Sequence, residues 1–301
     1  MNTLYQQLAG ESVGATLQRL ESEIKSRPAD ADLRAAFVQF LCLSGNWTRA
    51  LAQLKSWLAL KPQAQPTVTL LEQSIQGEQQ RDAVFAGSAR PQMPDSQWPW
   101  LSALASALCS DSETAQRQRL AAFEQAPLNP GNLNQTDTPA VAFHWLMDGD
   151  ARLGPVCELI VNGRYCWLPF AAIAEIRFQA PASVTDLVWR HALVRLTDGS
   201  EQVCQIPARY PVTPQAEARF QLGRATEWQP LDDEGALYQG HGQKVWLNDN
   251  DEFPILSLDV VSFACTNRYA TVTRCAAAGR RVANKRPLVP AIRCSRRCST
   301  A

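Results

Sequence analysis

Leu17 and Leu51, Leu20 and Leu54, Ile24 and Leu58, and Pro28 and Pro62 stand in pairs 34 residues apart. Apolar residues spaced by three and four, closed by a proline and repeated at one offset, describe a helix that recurs. Such a helix must bury its stripe against its own copies. The span 29–62 is the clearest unit. DADLRAAFVQFLCLSG places Leu33, Phe37, Phe40 and Leu41 on one side of a first helix, with Asp30 as its N-cap and Gly45 as its stop. NWTRALAQLKSWLALKP places Ala50, Leu51, Leu54 and Leu58 on one side of a second. The preceding copy keeps only its second helix, and a third helical segment is expected from Thr67 to Phe85.

Thirty-four residues is the period of tetratricopeptide repeats, which bury their cores only by stacking on neighbours. The N-terminal part is therefore expected to form a tetratricopeptide-like α/α superhelix, an architecture whose concave face commonly takes a partner peptide. Trp47 and Trp57 are its aromatic contact candidates. After a break at GSARPQMPDSQWP, one more helical hairpin is expected from Trp100 to about Ala126. PLNPGNLNQTDTPA, rich in Pro, Asn and Thr and without periodicity, reads as a linker. The expected organisation is a helical repeat domain over 1–126, a linker over 127–140, an α+β domain over 141–263 and a tail over 264–301.

From Val141 the pattern changes to short runs rich in Val, Ile and aromatics: VCELIV, RYCWLPF, EIRFQ, ALVRLTD, EQVCQIP, ALYQG and KVWLN. These read as a mostly antiparallel sheet, with helical material expected around Thr213–Arg224. CELIV-NG-RYCWL is its strongest local signal, because Asn-Gly suits the type I′ turn of a two-residue hairpin. That turn fixes the pairs Val161/Arg164, Ile160/Tyr165, Leu159/Cys166, Glu158/Trp167 and Cys157/Leu168. One face then holds Cys157, Leu159, Cys166 and Leu168, which is small, apolar and core-like. The other holds Glu158, Ile160, Tyr165 and Trp167, an aromatic ledge open to two readings: packing under a second layer, or contact with a partner. Cys157 and Cys166 are diagonal neighbours, about 7–8 Å apart, which suits core packing rather than a disulfide.

Charge is balanced over the 301 residues but not along them. From Ala264 on there are nine basic residues and no acid, leaving 20 basic against 29 acidic residues in 1–263. An acidic body excludes a broad nucleic-acid-binding surface. The loss of acids at one point suggests a tail not selected to fold, such as an altered reading frame. The N-terminus lacks a basic, apolar leader pattern, and the most apolar run, WPWLSALASALC, falls short of the roughly 20 residues that span a bilayer. A cytoplasmic protein with no membrane contact is expected. Its nine cysteines are read as free thiols, since the number is odd and they are scattered. The tail cysteines Cys265, Cys275, Cys294 and Cys298 lack a CxxC pair and make a poor zinc signature.

Tests for chemistry return little. On a helix, His144 and Asp148 would share a face with Asp150 close behind, a constellation a small-molecule or metal-dependent hydrolase would use. No HExxH, Gly-rich phosphate loop or GxSxG completes it, so no catalytic residue, metal or cofactor is expected. A nucleic-acid-binding module using the basic tail is the other alternative.

Several stretches together resemble one family. GDARLGPVCELIVNGRYCWLPFAAI (Gly149–Ile173), DLVW, IPARYP and TEW, with LCLSGNWTRALAQL and VFAGSARP further upstream, are similar to the ImpE/TagJ family of bacterial type VI secretion accessory proteins, in order over about residues 4–260. The resemblance implies the repeat-plus-α+β architecture and no catalysis. It also implies an adaptor that binds the N-terminal segment of a small contractile-sheath subunit and is thereby linked to the sheath-disassembly ATPase; a homo-oligomer is compatible with it. The motif residues carried over are Asp150, Arg152, Gly154, Pro155, Asn162, Gly163, Tyr165, Trp167, Pro169, Trp189, Arg209, Tyr210 and Trp228. They are signature residues first and partner-contact candidates second. The family ends near FPILSLDV, so the tail is a departure, as is Cys166 at a position where an aromatic is common.

Overall fold

The computed structural model describes residues 12–264 apart from residues 137 and 234. The tail cysteines and basic residues, and with them the altered-frame reading and the nucleic-acid alternative, lie outside the described residues.

The helical half comprises α1 (Val13–Ser26), α2 (Ala31–Leu43), α3 (Trp47–Leu60), α4 (Gln65–Phe85), α5 (Pro99–Ser106) and α6 (Ser112–Gln125). Caps set these boundaries. The Asp30 carboxylate accepts from the Asp32 and Leu33 amides at 3.1 Å, and Ser12 and Asp111 cap α1 and α6 in the same way. The first four helices pack in sequence, each on the next. Their apolar stripes, with Val38, Leu41, Ala50, Leu54, Leu71 and Ile75 among them, form one buried cluster.

The second half is antiparallel sheet, which makes the fold mixed α+β. Its strands are β1 (Gly131–Gln135), β2 (Val141–Phe143), β3 (Met147–Asp148), β4 (Val156–Val161), β5 (Arg164–Pro169), β6 (Ile173–Phe178), β7 (Trp189–Leu196), β8 (Glu201–Pro207), β9 (Thr226–Pro230), β10 (Tyr238–Gly242), β11 (Val245–Leu247), β12 (Glu252–Pro254) and β13 (Leu258–Phe263). Eight run side by side in the order β2-β1-β13-β6-β7-β8-β4-β5; β12-β11-β3 and β10-β9 form smaller sheets. One face of the large sheet gathers Leu133, Cys157, Leu159, Ile176, Val194, Ile206 and Val261 around Phe170 and Trp246, whose rings meet edge-on at 5.0 Å.

The hairpin has the register the Asn-Gly turn dictates, from Val161 opposite Arg164 to Cys157 opposite Leu168. Asn162 and Gly163 both take positive φ, 48° and 79°. The aromatic ledge is packed: Tyr165 and Trp167 are each 1% exposed and belong to the same cluster as the helices. Strand β4 is thus covered on both faces. Val156, Glu158 and Ile160 meet the helical half, while Cys157 and Leu159 meet the sheet cluster. Cys166, read as core, is only half-buried because β5 is the sheet's last strand.

Two expectations need correction. Residues 131–135, placed in a linker, form β1 between β2 and β13; Asn, Gly and Gln mask its strand character, and Leu133 alone carries its burial. His144 and Asp148 do not share a helix: His144 lies between β2 and β3, and Asp148 ends β3. The helical material read around 213–224 is present as a single turn, α7 (Ala218–Gln221). Strands β2, β3, β9 and β12, two to five residues long, carry no strong sequence signal, whereas β13, LDVVSF, was legible from Val260, Val261 and Phe263 but not read.

Candidate functional site at the seam of the two halves

Helix α4 lies against β4 and β5. The approach is close because Gly77 faces Ile160: a Cβ at Gly77 would sit 2.5 Å from the Ile160 Cγ2. One turn further on, Arg81 meets Glu158. Its Nε and Nη2 donate to the two Glu158 oxygens at 2.8 and 2.6 Å, and both side chains are 1% exposed. This is the planar two-bond geometry that favours arginine. Arg81 Nη1 also reaches Glu78 at 3.2 Å, and Trp189 Nε1 donates to Glu78 at 3.0 Å.

From Glu158 the network continues into the sheet. Lys244 Nζ lies 2.6 Å from both Glu158 and Asp148. The Tyr165 hydroxyl donates to Glu158 at 2.6 Å and accepts from Trp167 Nε1 at 2.8 Å. The Tyr210 hydroxyl donates to Asp148 at 3.1 Å. Asp150 holds Arg152 through two bonds, at 2.9 and 2.6 Å, and accepts from the Gly240 amide at 3.0 Å. The Arg152 guanidinium in turn lies 4.6 Å from the centre of the Phe85 ring of α4.

Four carboxylates (Glu78, Asp148, Asp150, Glu158) and four cations (Arg81, Arg152, Arg209, Lys244) therefore meet at the seam. Burial alone would raise the Glu158 carboxyl, but the Arg81 and Lys244 charges outweigh it and hold it at about 2. At Asp148 burial wins and the carboxyl is pushed up to about 6, because Lys244 is shared with Glu158. Lys244, facing two carboxylates, is raised in spite of its burial. Burial lowers Arg209 to about 10. It contacts carbonyls rather than a carboxylate: those of Cys42 at 2.7 Å and Leu43 at 2.5 Å, ending α2, and that of Gln221. A guanidinium there meets the negative end of the helix dipole.

Most of the sequence candidates converge here. Asp150, Arg152, Tyr165, Trp167, Trp189, Arg209 and Tyr210 belong to the seam, and the Trp228 ring lies 5.8 Å from that of Tyr210. Trp47 stacks at 5.8 Å on Trp189 and donates to Asp82 at 3.0 Å. Trp57 is buried among the helices. Tyr210 and Asp150 are 0% exposed and Trp189 and Tyr165 1%, whereas Arg152 and Trp228 are partly exposed. The hydrolase constellation does not assemble: His144 is exposed beside Asp249, while Asp148 and Asp150 are buried in the network.

Sequence reading missed Arg81, Glu78 and Lys244 and did not single out Glu158. A lone charge in VCELIV, and an i,i+3 Glu–Arg pair beside a mid-helix glycine in GEQQR, were the available signals. Chemically, the arrangement holds two halves together: every charge in it is engaged by another buried group.

A mixed α+β protein clamped in this way is the class that the fold and seam define. Residues 140–262 match the family model described as ImpE protein. The type VI secretion system accessory component TagJ of Pseudomonas aeruginosa is 36% identical over 256 residues, covering 83% of this chain and 87% of that protein. A Vibrio parahaemolyticus protein of known crystal structure is 28% identical, with a TM-score of 0.74 over 84% of this chain and 94% of its own. The chain belongs to the ImpE/TagJ family.

Proposed function

We propose that the protein is a non-enzymatic accessory component of a type VI secretion system, an adaptor that binds the N-terminal segment of a small contractile-sheath subunit. Through that subunit it is linked to the sheath-disassembly ATPase. The observation that carries this reading is the kinship with TagJ over 83% of the chain. The helical half is read as a tetratricopeptide-like stack, supported by the 34-residue offset and the hairpin of α2 and α3. A cytoplasmic setting agrees with the described helices, of which none is long and apolar enough to cross a membrane.

The seam narrows where a partner can sit. In such repeats the inner face is the usual peptide groove, yet here the hairpin packs on α4 and the segment Val184–Leu187 packs on α2. We read the sheath segment as docking on an outer surface, as an amphipathic helix presenting apolar anchors. The test is capture of purified sheath subunit by the full chain, repeated with the subunit's N-terminal segment removed. Capture of the intact subunit only is expected; binding that survives the removal contradicts the proposed mode.

A further inference from the structure

Repeat stacks ordinarily open unit by unit, since each unit touches only its neighbours. The contacts across this seam are of another kind, because they tie each inner helix to residues far along the chain. Gln80 of α4 engages the hairpin as a strand would: its side chain donates to the Gly163 carbonyl at 2.9 Å and accepts from the Tyr165 amide at 3.1 Å. Gln92, just beyond α4, pairs its backbone with β5, donating to the Tyr165 carbonyl at 3.0 Å and accepting from the Trp167 amide at 2.8 Å. One position on the edge of the sheet's last strand is thereby paired. Ser74 Oγ lies 2.5 Å from Gln205 of β8, and Arg209 holds the final carbonyls of α2. At the centre stands the Arg81–Glu158 pair.

We infer that the Arg81–Glu158 pair is a latch that makes the helical and sheet halves one cooperative unit, with the β4–β5 hairpin as resident occupant of the helical stack. Lifting α4 from β4 would strip Arg81 and Glu158 of each other and uncover Ile160, Tyr165 and Trp167 together. A half-open state thus loses the two-bond Arg81–Glu158 pair, leaving Glu158 to Lys244 and Arg81 to Glu78, and exposes a large apolar surface, so neither half gains by opening first. The inference goes beyond the adaptor reading and stands on contacts within the chain, so it survives or fails independently of any sheath partner.

Native-state hydrogen exchange on the full chain tests it. Amides of α2, α3 and α4 are expected to exchange through the same opening as those of β4 and β6–β8, with protection agreeing within about tenfold. Glu158→Gln, which leaves Arg81 short of a charge partner, should lower protection in both halves by about a hundredfold or more. Gln80→Ala, a milder change at an exposed position, should lower both by about tenfold. Helices that exchange more than a hundredfold faster than the sheet in the unaltered protein would overturn the latch, whether or not the Glu158 variant folds. So would a Gln80→Ala effect confined to one half.

Discussion

Glu158 stands in a strand whose other five residues are apolar, and it is one of the least exposed acids in the molecule. Its charge persists because Arg81 and Lys244 both face it, so its contribution to stability is present at neutral pH and is lost only as pH falls toward 2. Asp82, three residues before the end of α4, behaves in the opposite sense. Burial, reinforced by Glu78 and opposed by Arg81 and the Trp47 indole, pushes its carboxyl from 3.8 up to about 6. A carboxyl raised in the folded state contributes stability that is fully present below 3.8 and is lost as pH rises through 6. Asp148, also raised to about 6, adds in the same direction. The urea midpoint should therefore rise between pH 7 and pH 5. In Asp82→Asn, which keeps an acceptor for Trp47, that rise should shrink; an unchanged slope would show that Asp82 does not titrate in this window.

At the scale of elements, the contact of α4 with β4 depends on the missing side chain at Gly77. Gly77→Ala adds helix propensity, worth up to about 1 kcal/mol, but drives a methyl into Ile160 at a distance real side chains do not reach. Overpacking of this kind costs about 1–3 kcal/mol, so the balance is destabilising. Combined with Ile160→Ala, the loss should be smaller than the sum of the single changes, a coupling that denaturant melts of the four proteins would read. The β4–β5 hairpin was legible down to its residue pairs, because a two-residue Asn-Gly loop fixes register without help from the rest of the fold. The helices were legible for the same reason: their period, caps and stops lie within the segment they describe. Strand β1 was not, since GNLNQ has one apolar residue and becomes a strand only because β2 and β13 flank it.

For the whole molecule, the described fold closes at Ala264, whose amide donates to the Pro130 carbonyl at 2.7 Å. Deleting residues 265–301 keeps that bond. The shortened chain is expected to retain its melting temperature and the sheath-subunit capture proposed for the full chain; a drop in either would assign the tail a role in folding or binding. The expectation of two domains with a linker passes over what joins them. A single hydrophobic cluster runs from Val13 in α1 to Leu222 beyond α7, and Arg81 meets Glu158 across 77 residues of sequence. The sequence by itself determined the helices, the hairpin and its two faces, and the family, because period, turn chemistry and motif order are local properties. Only the tertiary structure decided that Tyr165 and Trp167 are covered and that the signature residues meet at a buried seam. Burial and ion pairing depend on which distant surfaces come together, and no local pattern records that.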